Sequence, residues 1–173
     1  MIAQAIRMIL TNLPVILCIA AIAFAALSRC NGHWSHRYLS WILLLAVGFD
    51  GIWAGVFHVF FPGIASAQIG WQPSPFEFEI GVADIALGIV AVISFWCSLS
   101  FQSAVAAYAI LFYIGVSIGH FVQAFGHGDY AADNFGMLLA LTIARAVVLA
   151  ILLMTAWNRN VLGQAGGSID ARA

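Results

Sequence analysis

The chain has 173 residues, of which 64% are hydrophobic and 8% charged, and a mean hydropathy of +1.02. Soluble domains carry roughly 25% charged residues, so this composition excludes an ordinary water-soluble domain and points to an all-α integral membrane bundle. All six basic residues are Arg, set against seven acids for a net charge of −1, which leaves no basic face for nucleic acid or for an anionic membrane surface.

In chain order, hydropathy marks about five transmembrane helices: Leu10–Leu27, Leu39–Phe61, Phe76–Ser98, Ala104–Phe125 and Phe135–Trp157, each judged against the roughly 20 residues a crossing helix needs. The first is the shortest and contains Pro14. Ala25-Ala26-Leu27-Ser28 after it permits a signal-peptide reading, but Asn12 and Pro14 interrupt the charged and apolar regions such a peptide requires, so an uncleaved span is the expectation. Residues 1–158 read as a single bundle, and the Gly/Ala/Ser/Asp-rich residues 159–173 as a disordered polar tail.

The arginines set an orientation. Arg29 and Arg37 lie in the first loop and Arg159 and Arg172 in the tail, whereas the second to fourth loops hold no Arg or Lys. The positive-inside rule then makes the first loop and C-terminus cytoplasmic and, despite Arg7, the N-terminus external, in a multi-pass inner-membrane protein. Pro62–Pro75 and Gly126–Asp133 open outward on this topology, and Leu99–Ser103 forms a tight inner turn.

Asp50, Asp84 and Arg145 fall in the middle of apolar runs, where a charge costs about 2.5–3.5 kcal/mol on insertion scales and faces protein or a cavity. At about 1.5 Å per residue, Asp50 lies about 16 Å below Phe61, Asp84 about 12 Å below Phe76 and Arg145 about 16 Å below Asn134, so the three share a level. His58 and His120 lie nearer the outer ends of their helices, which outlines a polar funnel. Helical spacing puts Gly48, Gly51, Gly55 and His58 on one stripe; Glu77, Gly81, Asp84 and Gly88 on another; and Tyr113, Ser117, His120 and His127 on a third. The last four spans are therefore expected to surround a shared interior, with the first at the edge.

Each feature has a structural explanation beside the functional one. Ser74-Pro75-Phe76-Glu77 fits a capping box, Asp133 and Asn134 suit the N-cap of the last span, and the glycine stripes suit helix packing, within one chain or between copies in a homo-oligomer. Arg145 with Asp50 or Asp84 fits an internal ion pair that fixes register. His33, His36 and His127 read as solvated loop residues. Cys18, Cys30 and Cys97 form no CxxC pair, and no structural disulfide is expected.

The chemical readings are a polar ligand site, a metal site and a redox centre. Asp50, His58, Glu79, Asp84, His120 and Arg145 form the candidate ligand site, able to relay protons or to hold an anionic, quinone-like or other lipid-like molecule through Arg145. His58, Glu79 and His120 have side chains suited to a transition metal, without an HExxH or Glu-x-x-His signature, and His58 with His120 has the two-helix placement of bis-histidine haem ligation. Glu79, which capping leaves unexplained, is expected to point toward His58 or His120.

Gly70-Trp71-Gln72-Pro73-Ser74-Pro75-Phe76-Glu77-Phe78-Glu79-Ile80-Gly81-Val82-Ala83-Asp84 resembles a segment of a family of small bacterial multi-span membrane proteins of unassigned function. On that pattern Glu79 and Asp84 match polar positions, Asp84 standing where Asn also occurs. Size and span count are distantly similar to DoxX-like membrane proteins, some linked to quinol or thiol oxidation, an analogy of fold only. The function expected is the binding of a small or lipid-like molecule at a polar intramembrane site opening outward, with membrane lipids as surroundings. A haem- or metal-dependent oxidoreductase working with quinone and a structural membrane subunit are the alternatives, and whether the protein is an enzyme stays open.

Overall fold

The computed structural model describes residues 10–28, 33–131 and 133–170, with side chains described as far as Asn158. Arg7, Arg29, Cys30 and Arg172, which carry part of the orientation and cysteine readings, lie outside the described residues, as does the side chain of Arg159. The described chain is helical without a strand: α1 (Leu13–Leu27), α2 (Trp34–Phe60), α3 (Pro62–Ile69), α4 (Phe76–Ser94), α5 (Leu99–His127) and α6 (Met137–Asp170).

Three of these helices are long and apolar enough to cross a bilayer: α2 over Trp34–Phe60, α5 over Leu99–His127, and α6 over Met137–Asn158. Three of the five expected spans meet that measure. α1 has 15 residues, about 22 Å against a hydrocarbon core of about 30 Å. α4 has 19, but Glu77, Glu79 and Asp84 all fall within it. The exterior is apolar, with Ile19, Leu111 and Ile151 pointing outward at 62%, 70% and 55% exposure.

Helix boundaries differ from the hydropathy reading in physically consistent ways. α2 begins at Trp34, ahead of the apolar run, because His33 caps it: the ring Nδ1 accepts the Ser35 amide at 3.3 Å. His33, His36 and Arg37 consequently belong to a helix start rather than a solvated loop. α5 begins at Leu99 behind a Ser98 N-cap, so the turn expected over Leu99–Ser103 lies ahead of Leu99. α3 fills much of the second loop, opening on Pro62 at its first position, where a missing N–H costs nothing. The backbone of α6 continues to Asp170, through most of the segment whose composition reads as a tail.

Within α2 the residues Ile42–Phe49 form a π-helical stretch, and the Asp50 amide donates to the Leu45 carbonyl five residues back. Wide turns of this kind are uncommon and shift the register of everything beyond them. Past this point α2 packs closely on α4, glycine against backbone. A Cβ on Gly55 would stand 2.5 Å from the Gly81 carbonyl oxygen, and one on Gly88 2.7 Å from that of Gly48. In a bilayer, where apolar burial gives helices little reason to associate, such close backbone approach supplies the packing energy. The stripe through Gly48, Gly51 and Gly55 is thus an intramolecular contact surface. Gly115 and Gly119 on α5 make no such contact: among the described residues, nothing lies within 4 Å of where a Cβ on either would stand.

The remaining helices close around this pair. Leu39, Leu43, Val47, Leu87, Ala91, Ala109 and Leu149 form the buried core. At the α2 start, Gln102 is 1% exposed, accepting from the Ser40 hydroxyl at 3.1 Å and donating to the Ser94 carbonyl at 3.0 Å. Trp41 Nε1 and Arg37 both donate to Ser28, tying α1 to the same end.

Candidate functional site

Three helices meet at a buried ion pair. Arg145 Nη1 on α6 lies 2.5 Å from Asp50 Oδ2 on α2, the two side chains 7% and 8% exposed. The guanidinium also donates from Nε to Cys18 Sγ and from Nη2 to the Pro14 carbonyl, each at 3.5 Å. Both partners are on α1, which packs on α2 as expected of an edge helix and from there also reaches the guanidinium. Hydropathy misses this because a thiol and a backbone carbonyl carry no charge signal in sequence.

Asp84 on α4 is partly buried and within electrostatic reach of Asp50. The phenol of Tyr113 on α5 is buried. The backbones beside the two aspartates approach because α2 and α4 touch along glycines: a Cβ on Gly51, next to Asp50, would stand 3.1 Å from the Asp84 carbonyl oxygen. Asp50 Oδ1 is buried with no hydrogen-bond partner among the described residues. The cluster holds two carboxylates against one guanidinium, and one carboxylate oxygen lacks a donor, a costly state in a medium of low dielectric.

Above this level the α5–α6 interface is polar. Tyr113, Ser117 and His120 are all buried on α5, as are Asn134 just before α6 and Thr142 and Arg145 on it. Ser117 and Thr142 donate to carbonyls of their own helices, the usual satisfaction of hydroxyls in apolar surroundings. His120 Nδ1 lies 2.7 Å from Asn134 Oδ1, while Asn134 Nδ2 donates to the Asp129 carbonyl at 2.6 Å. With the amide committed to donation on one side, its oxygen accepts, so His120 carries its proton on Nδ1. Asn134, expected as an N-cap, is instead a fully buried bridge, and α6 starts only at Met137.

His58 and His120 do not converge on Glu79. His58 Nδ1 meets Glu77 Oε1 at 3.4 Å, and Glu79 is exposed. The capping box expected at Glu77 does not form: Pro75 is the N-cap of α4 without a side-chain cap bond, and Glu77 turns across to α2. His120 packs its ring on Trp71, centroids 5.7 Å apart. Among the described residues, no three His, Cys, Asp or Glu side chains group as metal ligands.

A cleft of about 400 Å³ lies over His120, lined by Gly70, Trp71, Gln72, Gln123, His127 and Asp129. Two glycines in the left-handed region shape it. Gly128 (φ 72°) ends α5 and Gly70 (φ 79°) ends α3. A Cβ on Gly70 would stand 2.8 Å from Asp129 Oδ1, which accepts the Ala131 amide at 3.0 Å. Gly70→Ala is therefore expected to cost about 1–2 kcal/mol from the left-handed backbone alone, and to push Asp129 off the Ala131 amide. A lowered unfolding temperature together with faster amide exchange at Ala131 checks it. Trp71 Nε1 is buried without a partner among the described residues. Sequence alone does not single out Trp71, Gln123 and Asp129 as site residues because they sit in or beside turns, and only the folding of two glycine-ended helices toward each other unites them.

These features define an all-helical protein with three helices long and apolar enough to cross a membrane, a buried ion pair and a cleft near His120. The chain belongs to DUF6790, a family of unknown function, whose model matches residues 10–161. No match was found among curated proteins or among solved structures.

Proposed function

We propose that this is a multi-pass inner-membrane binding protein that takes up a small molecule at the cleft formed by Trp71, Gln72, Gln123, His127 and Asp129. The observation that carries the reading is the placement of that cleft at the head of the polar α5–α6 interface leading to Arg145, Asp50 and Asp84. A concave site with a few convergent donors and acceptors is where small ligands bind. The Trp71 indole supplies a flat face, Gln123 and Gln72 supply amides, and Asp129 an acceptor. Arg145 is already held by Asp50, Cys18 and Pro14, which favours the cleft over the guanidinium as the first ligand contact.

The arginine distribution supports a cleft that faces outward, with α1 and α4 completing a five-helix crossing despite their length and charge. Native mass spectrometry of protein released gently from detergent tests the reading. Wild type is expected to carry a small molecule that Gln123→Ala combined with His127→Ala loses. The same bound complement on both proteins would remove the cleft as the binding site.

A further inference from the structure

Beneath the cleft, the charge cluster is unbalanced in a way the ligand reading does not use. The other titratable groups at this level are Arg145 on α6, in contact with Asp50 and with Cys18 of α1, and the buried Tyr113 on α5. Arg145 is the sole cation among them. If both aspartates were ionised, the cluster would hold one uncompensated negative charge in the membrane interior, and two neighbouring carboxylates resist ionising together. The second observation is steric and independent of that count. Asp50 is 5% exposed, yet among the described residues its Oδ1 has no donor, although Oδ2 is fully engaged by the guanidinium. Buried carboxylate oxygens are rarely left so.

We propose that the Asp50–Asp84 pair is a proton-binding site that holds one exchangeable proton on Asp84, with Asp50 kept ionised by Arg145. With Asp84 protonated, the cluster keeps the single negative charge of Asp50, which Arg145 balances. Exchange requires only addition and loss of a proton. The buried His120, Ser117 and Tyr113 side chains, spaced along one face of α5, offer the polar lining through which water and protons approach from the cleft side. This inference does not depend on the cleft binding a ligand.

Infrared spectroscopy of the full chain in lipid bilayers, in H₂O and in D₂O at neutral pH, decides it. The carbonyl stretch of a protonated carboxylic acid is separate from the carboxylate bands and shifts on deuteration. One such band is expected in wild type and its complete loss in Asp84→Asn. Asp50→Asn should lose it too, because Asp84 then becomes the counter-ion of Arg145 and ionises. Absence of the band from wild type would overturn the proposal, as would its persistence in a helical, folded Asp84→Asn protein. Should Asp50→Asn fail to fold, the comparison of wild type with Asp84→Asn is sufficient by itself.

Discussion

Arg145→Met is expected to destabilise the bundle by about 3–5 kcal/mol, the scale on which removing one member of a buried ion pair strands the other. Arg145 is the shared centre of three helices: it neutralises Asp50 on α2 and donates to Cys18 and Pro14 on α1. Methionine keeps the stem and removes every one of those bonds, leaving Asp50 with both oxygens stranded. Adding Asp50→Asn to Arg145→Met should restore much of the loss, because a neutral amide costs far less to bury than a carboxylate. Unfolding in mixed detergent micelles, followed by circular dichroism, measures both proteins. Equal stability of Arg145→Met and wild type would mean that the pair contributes nothing to the fold. A double variant no better than the single one would place the loss in the α1 contacts instead of in the stranded charge.

The second large effect is expected at the α2–α4 contact. Gly55→Ala and Gly88→Ala each put a methyl group into backbone: at Gly55 against the Gly81 carbonyl oxygen and the Ile85 amide, at Gly88 against the Gly48 carbonyl oxygen and the Ile52 amide. Backbone cannot rotate away as a side chain can, so the helices must separate, at about 1–3 kcal/mol for overpacking. Separation also moves Asp84 from Asp50, so these variants couple packing to the charge cluster. Gly115→Ala and Gly119→Ala, which meet no neighbour among the described residues, are the controls and should keep or slightly raise thermal stability, because alanine favours a helix interior over glycine by about 1 kcal/mol. Loss of stability in the controls but not at Gly55 or Gly88 would reverse the assignment of which glycines hold the chain together.

The effects of these glycines show how unevenly sequence carries structural information. The Gly48, Gly51, Gly55 periodicity is visible without coordinates, as are the intramembrane positions of Asp50 and Arg145, because residue type and helical spacing are local properties. Which acid pairs with the arginine is not local. Asp50 and Asp84 are equally plausible by depth, and the choice depends on the π-helical stretch before Asp50 and on how closely α4 approaches α2. Spacing misassigns Glu77 and Glu79 for the same reason. It fits a capping box and a free acid that reaches the histidines, but the rotation of α4 presents Glu77 to His58 and leaves Glu79 exposed.

Residue identity alone is enough to establish an all-helical chain rich enough in apolar residues to live in a bilayer. It also places three ionisable side chains far from the ends of its apolar runs, because composition and hydropathy need no knowledge of how the helices meet. Tertiary packing was required to bring α1 to the charge cluster through a carbonyl and a thiol, to make Asn134 bridge His120 and the Asp129 carbonyl, and to gather Trp71, Gln123 and Asp129 into one cleft. Those outcomes rest on groups that are neutral or common in sequence, and they become specific only when helix rotation and close glycine packing set their distances.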